Sequence, residues 1–80
     1  MNSYVATFHT HLSALMTCNN LKALGVSARM APVPRKLSSS CGTCVFYDAP
    51  EPNLDSMDED TEGVYEVANN GQYVKIFEKE

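Results

Sequence analysis

Three observations predict an α+β fold of ferredoxin-like type, a mostly antiparallel sheet carrying one main helix. The chain opens on a strand-like run, shifts to helical period, then returns twice to apolar alternation before a hairpin signal at Asn69-Asn70-Gly71. The element order is β-α-β-β, an acidic connection and a β-hairpin. One helix on one face of the sheet is the simplest burial for that order. The second helix of this fold type is expected to be reduced or absent.

Tyr4 to Phe8, "YVATF", mixes aromatic and β-branched residues and reads as the first strand. Over 11–24 the apolar residues Ala14, Leu15, Cys18, Leu21 and Leu24 recur at helical spacing and are expected to face the core. Thr10 suits the N-cap, where its hydroxyl accepts from an orphan amide, and Gly25 suits a left-handed residue past the helix end. Asn19 and Asn20 belong on the solvent side. Val26, Ala28 and Met30 alternate with Ser27 and Arg29 as a second strand, stopped by Pro32 and Pro34, which have no N–H to donate. "CVFYDA", 44–49, reads as the third strand. Seven carboxylates and no cation fall between Asp48 and Glu62, which predicts a solvated connection with at most one short helical turn around 53–58. In the hairpin, Val64, Tyr65 and Val67 are expected to pair with Tyr73, Val74, Ile76 and Phe77. Asn-Gly would supply the positive φ angles of a tight turn. No internal repeat is found.

Eighty residues make one domain, 1–80, with a small core. No apolar run approaches the roughly 18 residues needed to cross a bilayer. "MNSYVATFHTH" has no early cation ahead of an apolar stretch, so it does not read as a secretory signal. These features, with an odd count of three cysteines, predict a cytoplasmic protein in a reducing compartment and no membrane partner. A net charge of −4 argues against nucleic acid, whose binding requires a basic face. The open edge of the last hairpin predicts a homodimer, because unpaired strand edges invite pairing.

The chemistry concentrates in "PVPRKLSSSCGTC", 32–44. Cys41 lies between Ser40 and Gly42 in a segment without apolar periodicity, so it is expected to be exposed. Arg35 and Lys36 upstream are placed to stabilise a thiolate, since nearby cations lower a cysteine pKa from about 8.5. Backbone amides of Ser38, Ser39, Ser40 and Gly42 form a candidate anion nest. Cys44 opens a strand, which makes it either a core residue or a resolving thiol. His9 and His11 sit at the strand-to-helix junction, where a histidine usually caps or hydrogen-bonds. If the loop folds over that edge, either one could serve Cys41 as a base.

Three other readings are weighed. Cys41, Cys44, His9 and His11 would make four zinc ligands, but the two histidines are expected to diverge. Asp58, Asp60, Glu62 and Gly63 take positions one, three, five and six of a calcium loop, yet position twelve is Asn69 where a bidentate Glu is needed. A thioredoxin-type Cys-x-x-Cys begins a helix, whereas a strand pattern follows here. No cofactor and no metal is assigned.

"TFHTHLSAL" followed by "LKALGVSARMAPVPRKLSSSCG" resembles the Se/S carrier protein-like family, small bacterial proteins of unknown function. The resemblance covers about residues 4–47, with an echo at "GVYEV". It implies a cytosolic carrier holding sulfur or selenium on one thiol, with donor and acceptor proteins as partners. Residue by residue it falls on Cys41 as the carrier thiol, with Arg35 and Ser38 to Gly42 as its supporting loop. The chain departs from the family pattern at Cys44, in the acidic connection and in the final strand "QYVKIFEKE". The alternative function is a small ligand- or protein-binding module in which Cys41 is incidental.

Overall fold

The computed structural model describes residues 1–79. Its elements are β1 (Asn2–Phe8), α1 (His11–Ala23), β2 (Ser27–Pro32), β3 (Thr43–Ala49), a 3-10 turn (Leu54–Ser56), β4 (Thr61–Val67) and β5 (Tyr73–Glu78). All strand pairs are antiparallel, in the order β2-β3-β1-β4-β5. Strands β1 to β4 with α1 give the ferredoxin-like layout, and β5 extends the sheet beyond β4. Among the described residues no helix is long and apolar enough to cross a membrane.

Central strand β1 is buried on both faces from Tyr4 to Phe8, which is why it reads as a continuous apolar run and not as an alternation. Tyr4, Ala6 and Phe8 pack with Val45, Tyr47, Ala49 and Val64 beneath Ala14, Cys18 and Leu21 of α1. The rings of Tyr4 and Tyr47 stack at 5.2 Å. On the helix-free face Val5 lies between its register partners Phe46 and Tyr65 and is fully buried there. Arg29 sits 4.8 Å over the Phe46 ring and Lys75 5.8 Å from the Tyr65 ring.

Helix α1 starts and stops as its ends dictate. Thr10 accepts from the Ser13 amide at 3.1 Å, and Gly25 takes φ +83. Its buried face differs from the sequence expectation. Ala14, Cys18 and Leu21 point inward, but Leu15 and Leu24 are exposed, and Ser13 and Thr17 take the remaining inner places. Apolar residues wrap the whole helix, so periodicity alone does not fix its orientation. The orientation follows from partners for the two hydroxyls. Ser13 Oγ lies 2.8 Å from Asp58 and 3.2 Å from Asp60, and Thr17 Oγ1 accepts from the Asp58 amide at 3.0 Å.

Those partners belong to the acidic connection, which is therefore not the freely solvated segment the carboxylates suggest. Tyr47 donates to Pro52 O at 2.6 Å, Met57 packs on the core, and Thr61 donates to Asp58 O at 2.6 Å. The segment occupies the place of a second helix. In the hairpin only Gly71, at φ +82, is left-handed, and Asn70 is not. The Gly71 amide bonds Ala68 O, and Ala68 pairs with Gln72. This is the three-residue loop with a glycine bulge, a tight turn in which only the glycine of Asn-Gly supplies a positive φ.

Candidate functional site

The loop from Val33 to Gly42 folds back over the C-terminal end of β1. The Val33 amide bonds Gly42 O at 3.1 Å, and Ser39 Oγ donates to Phe8 O at 2.7 Å. Gly42 closes the loop at φ +73, a conformation that a side chain would strain. This fold-back half-buries Cys41 against the core, where the sequence leads one to expect a fully exposed thiol. Its Sγ donates to Thr43 O at 3.4 Å, with Ser39 Oγ at 3.9 Å.

The anion cradled by the serine loop is Glu62, at the start of β4. Its Oε1 accepts from the Ser40 amide at 3.0 Å and lies 2.9 Å from Ser39 Oγ, whose one proton it shares with Phe8 O, and its Oε2 accepts from Ser40 Oγ at 3.1 Å. His9 Nδ1 stands 3.6 Å from the same oxygen and 3.4 Å from Ser40 Oγ. Partial burial alone would raise the Glu62 pKa. The Ser40 amide, the Ser39 and Ser40 hydroxyls and the neighbouring His9 outweigh it and hold the carboxyl below its ordinary value. Glu62 is the residue the sequence reading missed as part of the loop.

Arg35 and Lys36 are not brought to the sulfur. They occupy the tip of the turn closed by the Leu37 amide on Pro34 O at 3.0 Å. Both are exposed and make no side-chain hydrogen bond or ion pair among the described residues. Ser38 lies at the mouth of an open depression of about 260 Å³ lined also by Thr7, His9, Glu62 and Tyr65. His11 Nδ1 is 3.4 Å from Thr43 Oγ1. The two histidines thus grip the loop on either side of Cys41, His9 at Ser40 and His11 at Thr43, and neither ring hydrogen-bonds the sulfur.

Cys44 is buried in β3 opposite Thr7, its Sγ donating to Pro32 O at 3.6 Å. Burial pushes its thiol up to about 11, with the Arg29 charge pulling the other way and Cys41 adding to the rise. That is the core residue of the sequence reading, and a resolving role would need the strand end to open. The zinc set does not converge, since each member is engaged elsewhere. The calcium spacing also separates: Asp58 and Asp60 turn to Ser13 while Glu62 turns to the loop. Among the described residues no three His, Cys, Asp or Glu gather to hold a metal.

A relative from Escherichia coli (strain K12), the "Uncharacterized protein YtiA", is 30% identical over 50 residues, 62% of this chain. The match spans 59% of that relative's own length. No solved structure matches. The family model described as "Putative Se/S carrier protein-like" matches residues 3–72, so it extends past the loop through the acidic connection and β4 and stops where β5 begins. With that match running over most of its length and enclosing the Cys41 loop, the chain belongs to the Se/S carrier protein-like family.

Proposed function

We propose that the protein is a chalcogen carrier in which Cys41 holds one sulfur or selenium atom as a persulfide-type adduct. One observation carries the reading. Of three free cysteines, Cys18 and Cys44 are buried, and the half-buried one, Cys41, lies in the serine loop inside the residues that the family model matches. Loading is a group transfer. The Cys41 thiolate attacks the terminal sulfur of a donor protein's persulfide. A new S–S bond forms at Cys41 and the donor's S–S bond breaks. Its electron pair leaves on the donor cysteine as a thiolate, and the terminal sulfur keeps its proton. Unloading onto an acceptor repeats the exchange, with no net oxidation and no cofactor. A terminal selenium follows the same path.

The surroundings support this reading. Next to Cys41, Gly42 is exposed and a side chain there would meet nothing within 4 Å, so the chain beside the thiol faces open space. The test is incubation with a cysteine desulfurase and cysteine, followed by intact mass. The expected result is the gain of one sulfur atom on Cys41 and none on Cys41→Ser. A chain left unmodified while a known carrier in the same mixture is loaded overturns the reading.

A second reading is the binding module with an incidental Cys41, which would use the open depression of about 260 Å³ beside His9, Ser38 and Glu62. Maleimide titration across pH separates the two. Fast labelling of Cys41 at neutral pH supports the carrier, and slow labelling the module.

A further inference from the structure

The outer face of α1 and the acidic connection beside it form a surface the carrier chemistry does not use. Leu12 is 63% exposed, Leu15 42% and Met16 46%, and the three fall on one stripe at i, i+3 and i+4. Leu54 of the 3-10 turn, 41% exposed, adds to the patch from beside the helix, where Asn20 Nδ2 reaches Ser56 O at 3.5 Å. Side chains of this size expose a few hundred Å² of apolar surface, the scale at which patches on monomers mark interaction sites.

Along its Met16 side the stripe is rimmed by carboxylates, because Ser13 and Thr17 tie Asp58 and Asp60 to the helix. Further along lies a shallow depression of about 270 Å³ bounded by Glu51, Pro52, Leu54 and Asp55, with both carboxylates exposed. On the opposite side His11 leads to Thr43 and so to the Cys41 loop.

We infer that this face docks a partner protein presenting an apolar helix flanked by Lys or Arg. The stripe takes the apolar side chains, and the depression between Glu51 and Asp55 takes a cation. Charge decides against the other occupants. A second copy would bring two acidic rims face to face, and an anionic membrane or nucleic acid would be repelled. Area decides the lifetime. The patch is well under the roughly 800 Å² per partner of a stable complex, which describes a transient encounter. A partner seated here stands beside the thiol loop. The surface itself is independent of what Cys41 carries.

The probe is a fluorescein-labelled amphipathic peptide with leucines at helical spacing and lysines on the flanks, compared with its leucine–glutamate counterpart. The lysine peptide is expected to bind with micromolar Kd, weakening as salt rises, and the glutamate peptide not to bind. Leu12→Gln with Met16→Gln is expected to weaken binding at least tenfold, with the thermal midpoint unchanged because both side chains lie outside the core. Glu51→Lys with Asp55→Lys is expected to weaken it similarly and to flatten the salt dependence. A loss under twofold for either pair, or equal binding of the glutamate peptide, overturns the proposal. So does a concentration-dependent dimer that Leu12→Gln with Met16→Gln abolishes, for the stripe then belongs to a second copy. Sulfur loading, read by mass without the peptide, fails or succeeds separately.

Discussion

Removing the carboxylate of Glu62 is the sharpest perturbation of the thiol loop. Glu62 receives two hydrogen bonds from Ser40 and shares the Ser39 hydroxyl with Phe8 O, and it keeps 23% of its side chain exposed. Hydrogen bonds to a charged group contribute about 1.5–3 kcal/mol each when fully desolvated. Water reaches part of this group, and the freed Ser39 hydroxyl still has Phe8 O, so the sum falls well short of three full bonds. Glu62→Ala is expected to destabilise by about 2 kcal/mol, and Glu62→Gln, which keeps one acceptor, by ~1 kcal/mol. In a domain this small each kcal/mol moves the thermal midpoint by roughly 4–8 °C, so the alanine variant should melt ~10 °C lower.

The pH dependence gives a second reading of the same carboxylate. Folding lowers the Glu62 pKa below its ordinary 4.5, so the unfolded chain takes up the proton first. The stabilisation is therefore complete above the unfolded pKa and is lost as pH falls through the folded one. Urea denaturation of wild type and Glu62→Gln between pH 7 and pH 3 should give stabilities that converge at the acid end. Loosening the loop should also speed alkylation of Cys41 several-fold at neutral pH. A gap between the two proteins that stays constant across the whole range, or an alanine variant within 0.5 kcal/mol of wild type, would show that the serine loop does not rest on Glu62.

Alkylation of the native protein near pH 8 should label Cys41 alone, as read by mass. Buried Cys18 and Cys44, the latter with its thiol near 11, should react only after denaturant is added. Thr17→Val is expected to cost about 1–2 kcal/mol in urea denaturation, because it strands the Asp58 amide on the inner side of α1. Arg35→Ala and Lys36→Ala, at the tip of an exposed turn, should each stay within about 0.5 kcal/mol of wild type in the same assay.

Local signals were legible wherever a residue acts on its neighbours in sequence. Thr10 caps because its hydroxyl reaches three residues on, and β1 reads as buried because every residue from Tyr4 to Phe8 is small or apolar. The 3-10 turn at Leu54–Ser56 fits the single short helical turn that the acidic connection had room for. What failed depended on contacts far along the chain. The orientation of α1 is decided by Asp58 across 45 residues from Ser13, and apolar spacing alone favoured Leu15 over Ser13. The seat of Glu62 lies 22 residues from Ser40, and nothing in "DEDTEG" distinguishes the carboxylate that turns inward from those that stay on the rim. The hairpin at Asn69-Asn70-Gly71 was legible too, although of its turn residues only Gly71 takes a positive φ.

The occupied serine loop bears on which function its geometry favours. A loop built to catch a free anion would leave its donors waiting. Here the Ser40 amide and hydroxyl are taken by a carboxylate fixed on β4, and the Ser39 hydroxyl is shared between that carboxylate and Phe8 O. An incoming anion would have to displace a group held at a very high local concentration by the same chain. The loop therefore spends its donors on holding its own shape. Within that shape, Gly42 is left-handed, His9 and His11 hold the flanks, and Cys41 is the side chain left with a sulfur but no charged partner. A scaffold of this kind is what a reversible sulfur transfer requires, because the thiol must return to one position after each load and release. Arg35 and Lys36, exposed at the turn tip and without a side-chain hydrogen bond or ion pair among the described residues, have no part in setting that position.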